Sequence, residues 1–193
     1  MRKLKLQMQM TLDGFVAGPN GENDWVFIPG KQIPGALQEA IDFGTGLAAG
    51  CDTFLTGRKL ATSGFSDYWQ DVAENQPENP WNAFAKLMVN HRKIVFSKTE
   101  TAIAGSNVEI ENGDLATVVQ ALKEQPGKDI LVYGGADFVS SLVSLNLIDE
   151  YHLIVNPIAI GSGLSIFKER KVLELESSIA LKSGKVINKY LPV

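Results

Sequence analysis

The chain has 193 residues, 45% hydrophobic and 21% charged, with a formal net charge of −4; this fits one globular domain, residues 1–193, and excludes a disordered or fibrous chain. The negative balance argues against a general binder of nucleic acid or anionic membrane. A single cysteine, Cys51, excludes an intrachain disulfide or a cysteine-rich zinc site, and with only His91 and His152 as imidazoles no metal is expected.

In chain order, "KLKLQMQM" alternates with Leu4, Leu6, Met8 and Met10 on one face, which predicts a strand rather than the apolar core of a leader peptide. "LDGFVAGPNGE" is turn chemistry, with Gly supplying positive φ. From Pro34 to Ala49, Leu37, Ala40, Ile41, Gly44, Leu47 and Ala48 recur at helical spacing. "DTFLTG" is a short buried strand, and "RKLATSG" starts a short helix after Gly57. Residues 66–80, "SDYWQDVAENQPENP", are polar and carry prolines, so a surface loop is expected. Trp81, Phe84, Ala85 and Met88 form a helical stripe, "KIVFS" a strand, and Asp114 to Gln125 an amphipathic helix. "DILVY" is a strand, Ala136 to Leu147 a helix, and "DEYHLIVNPIAIG" a strand. The tail reads as two strands around a Ser183-Gly184 turn. The succession predicts a three-layer αβα domain whose mixed sheet is mostly parallel, with an antiparallel C-terminal hairpin. No stretch approaches the roughly 20 apolar residues of a membrane helix, so a soluble, cytoplasmic protein is expected.

Chemistry concentrates where strands end. At Tyr133-Gly134-Gly135-Ala136 a strand runs directly into a helix, whose first amides point outward unpartnered and carry partial positive charge. Glycines there let an anion approach closely, but the pair serves equally as a tight turn that binds nothing. Gly57 opens a second such junction, with the cations Arg58 and Lys59 just beyond it. Ser97 and Lys98 close a third strand. Ligands of open α/β sheets lie beyond the carboxyl ends of strands, so three such tips with phosphate-compatible groups point to a dinucleotide.

The segments "TLDGFVAG", "DTFLTGRK", "IVFSKT", "ILVYGGADFVSSL" and "LIDEYHLIVNPIAIGSGLSIF" resemble, in order, the dihydrofolate reductase superfamily. More closely they resemble the C-terminal reductase domain of the bifunctional riboflavin-biosynthesis deaminase-reductase and its stand-alone bacterial relatives. The zinc-binding histidine and paired cysteines of the deaminase half are absent.

The resemblance implies NADPH lying across the strand ends. Gly134, Gly135, Ala136, Asp137 and Phe138 would hold its pyrophosphate, with a cis peptide between the two glycines. Gly57, Arg58 and Lys59 would contact phosphate, and Ser97 and Lys98 the adenosine 2'-phosphate, favouring NADPH over NADH. Met10, Thr11, Asp13, Gly14, Ala17 and Trp25 map to the segment covering the nicotinamide, where Asp13 reads first as a turn-former. Tyr133 would face the substrate and also bears on the cofactor. Asp42, or Glu39, would be the helix carboxylate that grips a pterin; both are also ordinary solvent-facing residues of an amphipathic helix. The basic residues that grip a ribose phosphate in riboflavin-pathway relatives are reduced here to Lys31. "NPIAIGSGLSIF" reads first as structural, with phosphate binding as its alternative, and His152 as packing rather than catalytic. The functional expectation is NADPH-dependent reduction of a pterin-like or ribosylaminopyrimidine-like heterocycle by a homodimer. A dinucleotide-binding module without turnover, and a purely structural or dimerisation protein, remain as alternatives.

Overall fold

The structure is a computed structural model and describes residues 1–27 and 34–193; Lys31 lies outside the described residues. Its strands are β1 (Leu4–Thr11), β2 (Cys51–Gly57), β3 (Arg92–Phe96), β4 (Val108–Glu111), β5 (Asp129–Val132), β6 (Glu150–Asn156), β7 (Leu173–Ala180) and β8 (Val186–Pro192). Its helices are α1 (Ala36–Ala49), α2 (Arg58–Ala61), α3 (Phe65–Asn75), α4 (Asn82–Asn90), α5 (Leu115–Glu124) and α6 (Ala136–Ser144). A 3-10 turn covers Asp24–Phe27. The strands form one sheet in the order β4-β3-β2-β5-β1-β6-β8-β7. Pairing is parallel from β4 to β6 and antiparallel where β8 meets β6 and β7. This is the expected three-layer, mostly parallel arrangement with an antiparallel end.

The alternation of β1 decides the layering. Leu4, Leu6, Met8 and Met10 enter one core cluster with Val119 and Leu122 of α5 and Val139, Leu142 and Val143 of α6. A second cluster lies across the sheet, where Phe54, Leu131 and Tyr133 meet Ala48, Phe84, Met88 and Trp69 of α1, α4 and α3. Because β1 is central, its polar residues Lys5, Gln7 and Gln9 also lie beneath cover, on the α1 side. There His152 of β6 meets Phe43 of α1 with ring centroids 5.9 Å apart.

That polar face carries a buried charge cluster. Glu150, with 5% of its side chain exposed, lies 2.7 Å from Lys3 Nζ, 3.5 Å from Lys189 Nζ and 3.9 Å from Lys5 Nζ. Burial pushes its carboxyl up, but the Lys3 hydrogen bond and the Lys5, Lys189 and Lys3 charges outweigh this and bring it down to about 2. An ionised Glu150 only accepts, so the His152 Nε2 3.3 Å away carries a hydrogen and donates it. Burial holds the His152 imidazole below its usual range.

Two expectations are corrected. Residues 66–75 are not a loop, and only 76–80 are: α3 spans Phe65–Asn75, with Val72 fully buried and Trp69 in the second cluster. Phe65, Tyr68, Trp69, Val72 and Ala73 are spaced for one helical face, and Pro77 and Pro80 fall only after its end. The short strand β4 was not expected at all. The Gly134-Gly135 bond is trans, not cis. Gly134 at φ 156 and Gly135 at φ 81 make the turn without the roughly 3 kcal/mol of a non-proline cis bond. No helix among the described residues is long and apolar enough to cross a membrane.

Candidate functional site

Two strand-to-helix junctions, β5 to α6 and β2 to α2, and the carboxyl end of β3 build one side of the site. Gly135 caps α6 with no side-chain hydrogen bond, so the first-turn amides of Ala136, Asp137 and Phe138 are not satisfied by a capping side chain. Gly57 leads directly into α2 beside them: a Cβ at Gly57 would lie 2.9 Å from Phe138 Cβ, so glycine is what lets α6 approach β2. Phe138 in turn packs on Phe96 at the end of β3, with centroids 5.6 Å apart. Arg58 lies 3.9 Å from Glu100, and Lys59 Nζ sits 2.8 Å from Asp137 Oδ2. The Lys59 hydrogen bond holds the Asp137 carboxyl below its usual range. Ser97 is buried, and its Oγ accepts from the amides of Thr99 at 3.2 Å and Glu100 at 2.8 Å, leaving its hydroxyl hydrogen free. Lys98 is exposed beside it.

These tips open onto a single cleft of about 1870 Å³. That exceeds the roughly 300–1,000 Å³ of an ordinary small-ligand pocket and gives room for two molecules side by side. Ala17, Trp25, Gly57, Arg58, Lys59, Ser97, Lys98, Tyr133, Gly134, Gly135, Ala136, Asp137 and Phe138 all line it. Met10 does not: its side chain is 7% exposed and packs in the core under α5 and α6, because residues on the even side of β1 face that layer. Only its carbonyl is turned to the polar side, accepting from Asn156 Nδ2 at 3.1 Å.

Asp42 is also outside the cleft. It is exposed and accepts from Gln38 Nε2 at 2.7 Å. The α1 face toward the cleft is Ala36, Leu37, Ala40 and Phe43, which turns the Asp42 carboxylate to solvent. Glu39 is occupied by Lys182, whose Nζ lies 3.3 Å away and whose amide donates at 2.8 Å. Asp13 ties loops together, accepting from Thr11 Oγ1 at 2.6 Å and the amide of Gly161 at 2.8 Å. The glycine-rich stretch after β6 is structural in the same way: the Leu164 amide donates to Ala17 O at 2.8 Å, and a Cβ at Gly163 would collide with that carbonyl.

The other side of the cleft was largely missed by the sequence reading. Gln7, Gln9 and Asn156 rise from its floor on β1 and β6, walled by Phe43, Trp69 and Trp81. Tyr133 is packed among Phe54, Phe65 and Phe84 at centroid distances of 5.7–6.4 Å. Burial pushes its phenol up to about 12 against the neighbouring Gln7 amide, so it is a neutral donor at ordinary pH. Buried polar atoms without a partner gather here. Gln7 Oε1, Trp25 Nε1, Trp69 Nε1, Asn156 Oδ1 and Ser183 Oγ all belong to cleft-lining residues, and among the described residues only Thr45 Oγ1 does not. Each such atom costs about 1–3 kcal/mol until a polar partner meets it. The available signal was two glutamines in a strand flanked by strands on both sides. Among the described residues Arg58, Lys59, Lys98 and Lys185 line the cleft against one carboxylate, Asp137, although the whole chain is net negative. Among the described residues no cluster of three or more His, Cys, Asp or Glu is placed to hold a metal ion.

Known proteins resemble this chain along nearly its whole length. The model of the RibD C-terminal domain matches residues 2–188. The uncharacterized protein YyaP of Bacillus subtilis (strain 168) is 33% identical over 189 residues, covering 96% of this chain and 92% of that protein. The riboflavin biosynthesis protein RibD of Corynebacterium ammoniagenes is 25% identical over 91% of this chain, which matches 49% of that protein. Form 1 of Acinetobacter baumannii RibD shares the fold, with a TM-score of 0.71 at 17% identity, over 100% of this chain and 58% of that one. The chain belongs to the RibD C-terminal domain family, a group with the dihydrofolate-reductase-like fold.

Proposed function

We propose that the protein is an NADPH-dependent reductase of a pterin-like or ribosylaminopyrimidine-like heterocycle. The observation that carries this reading is the uncapped α6 N-terminus opening, beside Arg58, Lys59 and Lys98, onto a cleft large enough for a dinucleotide and a second ring. The residues present fit the cofactor. The α6 amides with Arg58 and Lys59 would hold the diphosphate, and Ser97 and Lys98 the 2'-phosphate. NADPH, when bound, supplies the hydride, either to a ring C=N bond or to a ribosyl group that opens to a ribityl chain. Trp25, Phe43, Trp69 and Trp81 exclude water from the acceptor half. Tyr133 and Gln7 orient the acceptor through neutral hydrogen bonds.

A dinucleotide-binding module without turnover is the second reading, favoured by one observation: Asp42 faces away and Glu39 is held by Lys182. Titration of NADPH by its fluorescence, followed by dihydrofolate and ribosylaminopyrimidine phosphate in turn, separates the two. Loss of nicotinamide absorbance with either acceptor supports the reductase. Tight binding with no loss supports the module, and no cofactor binding overturns both.

A further inference from the structure

We propose that the cleft contains a second anion point, built on Lys185, that takes an acidic group of the substrate, either a carboxylate or a phosphate. This rests on the reductase reading and names the substrate class it implies: a heterocycle with an anionic tail. The sheet order puts the two cationic poles apart. From β5, which leads into the α6 cradle, to β8 there are three strand steps, and from β3 there are five. At about 4.8 Å per step these are roughly 14 Å and 24 Å, too far for one diphosphate to bridge to Lys185.

Lys185 immediately precedes β8, which runs antiparallel to β6, so it stands at the carboxyl end of β6 with the other strand tips. Val155 and Val186 are the last pair of that register, and the next step sets Asn156 opposite Lys185. Both line the cleft. The hairpin tip is fixed. The Leu181 amide donates to Lys185 O at 2.8 Å, the Gly184 amide to Leu181 O at 2.9 Å, and Lys182 is tied to Glu39 on α1.

Among the described residues Lys185 Nζ makes one bond, to Val26 O at 3.1 Å, and two of its hydrogens meet no acceptor there. Among the described residues no carboxylate lies within 4.0 Å of it, and the only acid that lines the cleft, Asp137, belongs to the distant pole. Burial holds its pKa below the usual lysine range, the mark of an ammonium short of an opposite charge. Asn156, only 2% exposed, has an unpartnered Oδ1, and Ser183, two residues before Lys185, an unpartnered Oγ. A cation, a hydroxyl donor and a carboxamide acceptor thus line the same end of the cleft, and the acceptor suits an N–H or O–H next to the anionic group. With Asp42 turned to solvent and Glu39 held by Lys182, no carboxylate among the described residues lines this half of the cleft.

The test is quenching of the cleft tryptophans by two pairs of probes. Dihydrofolate is compared with a dihydropterin lacking its glutamate, and ribosylaminopyrimidine phosphate with its dephosphorylated nucleoside. In the unaltered protein the anionic member of at least one pair should bind about tenfold or more tighter, the scale of a charge-assisted hydrogen bond. The pair that shows the preference tells carboxylate from phosphate. Lys185→Met should reduce the anionic member to the level of the neutral one, leaving neutral and NADPH binding within about twofold, while Lys185→Arg keeps the preference. Equal binding within both pairs, no binding of either, or a preference that survives Lys185→Met overturns the proposal. So does a large loss of NADPH affinity in Lys185→Met, which would put the lysine on the cofactor. A preference that persists without NADPH oxidation overturns the reductase reading and leaves the anion point standing.

Discussion

Replacing Glu150 by Gln should expose how much the charged face of β1, β6 and β8 contributes to stability. The substitution keeps the shape and removes a carboxylate held by Lys3, Lys5 and Lys189. Its carboxyl is lowered from 4.5 to about 2 in the fold. A depressed carboxylate contributes stability above its unfolded value and loses it as pH falls through the folded one, here between about pH 4.5 and pH 2. At 1.36 kcal/mol per unit the full shift corresponds to about 3.4 kcal/mol. Lys3 is itself 56% exposed, so solvent screening reduces the expected loss to about 2–3 kcal/mol at pH 7. Urea unfolding of the unaltered and Glu150→Gln proteins at pH 7 and pH 3 measures it. The gap between them should shrink to less than half at pH 3, where the unaltered carboxyl is gaining protons. A gap below about 0.5 kcal/mol at pH 7, or one that stays constant down to pH 3, would refute the reasoning.

Gly57→Ala places a methyl group 2.9 Å from Phe138 Cβ, which is backed by Phe96. It should destabilise by about 1–3 kcal/mol and weaken NADPH binding by displacing the α6 amides; thermal melts and NADPH titrations that both match the unaltered protein would contradict the close-approach account. Asp42→Asn should leave stability within about 0.5 kcal/mol and reductase kcat/KM within about twofold, because its carboxylate meets only Gln38. A tenfold fall in kcat/KM would return Asp42 to the site.

The sequence alone determined the local periodicities and where the chain must turn tightly. Leu4, Leu6, Met8 and Met10 could share a face only in a strand, while Gly57 marked a close approach that omits the Cβ and Gly134-Gly135 a turn of positive φ at the strand tips. Those signals lie within a few residues of one another, so most of the strand-tip side of the cleft was legible. Tertiary packing decided the rest. Which way α1 is rotated depends on Phe43 meeting His152 from a strand more than a hundred residues away, and that rotation sends Asp42 to solvent. A helical stripe in α3 was masked by its polar neighbours and becomes decisive only when Trp69 and Val72 find α4 and the sheet to cover them. Gln7, Asn156 and Lys185 come together only because β1, β6 and β8 are adjacent. Strand order is set by which faces can be buried together across the whole chain, and no local spacing encodes it.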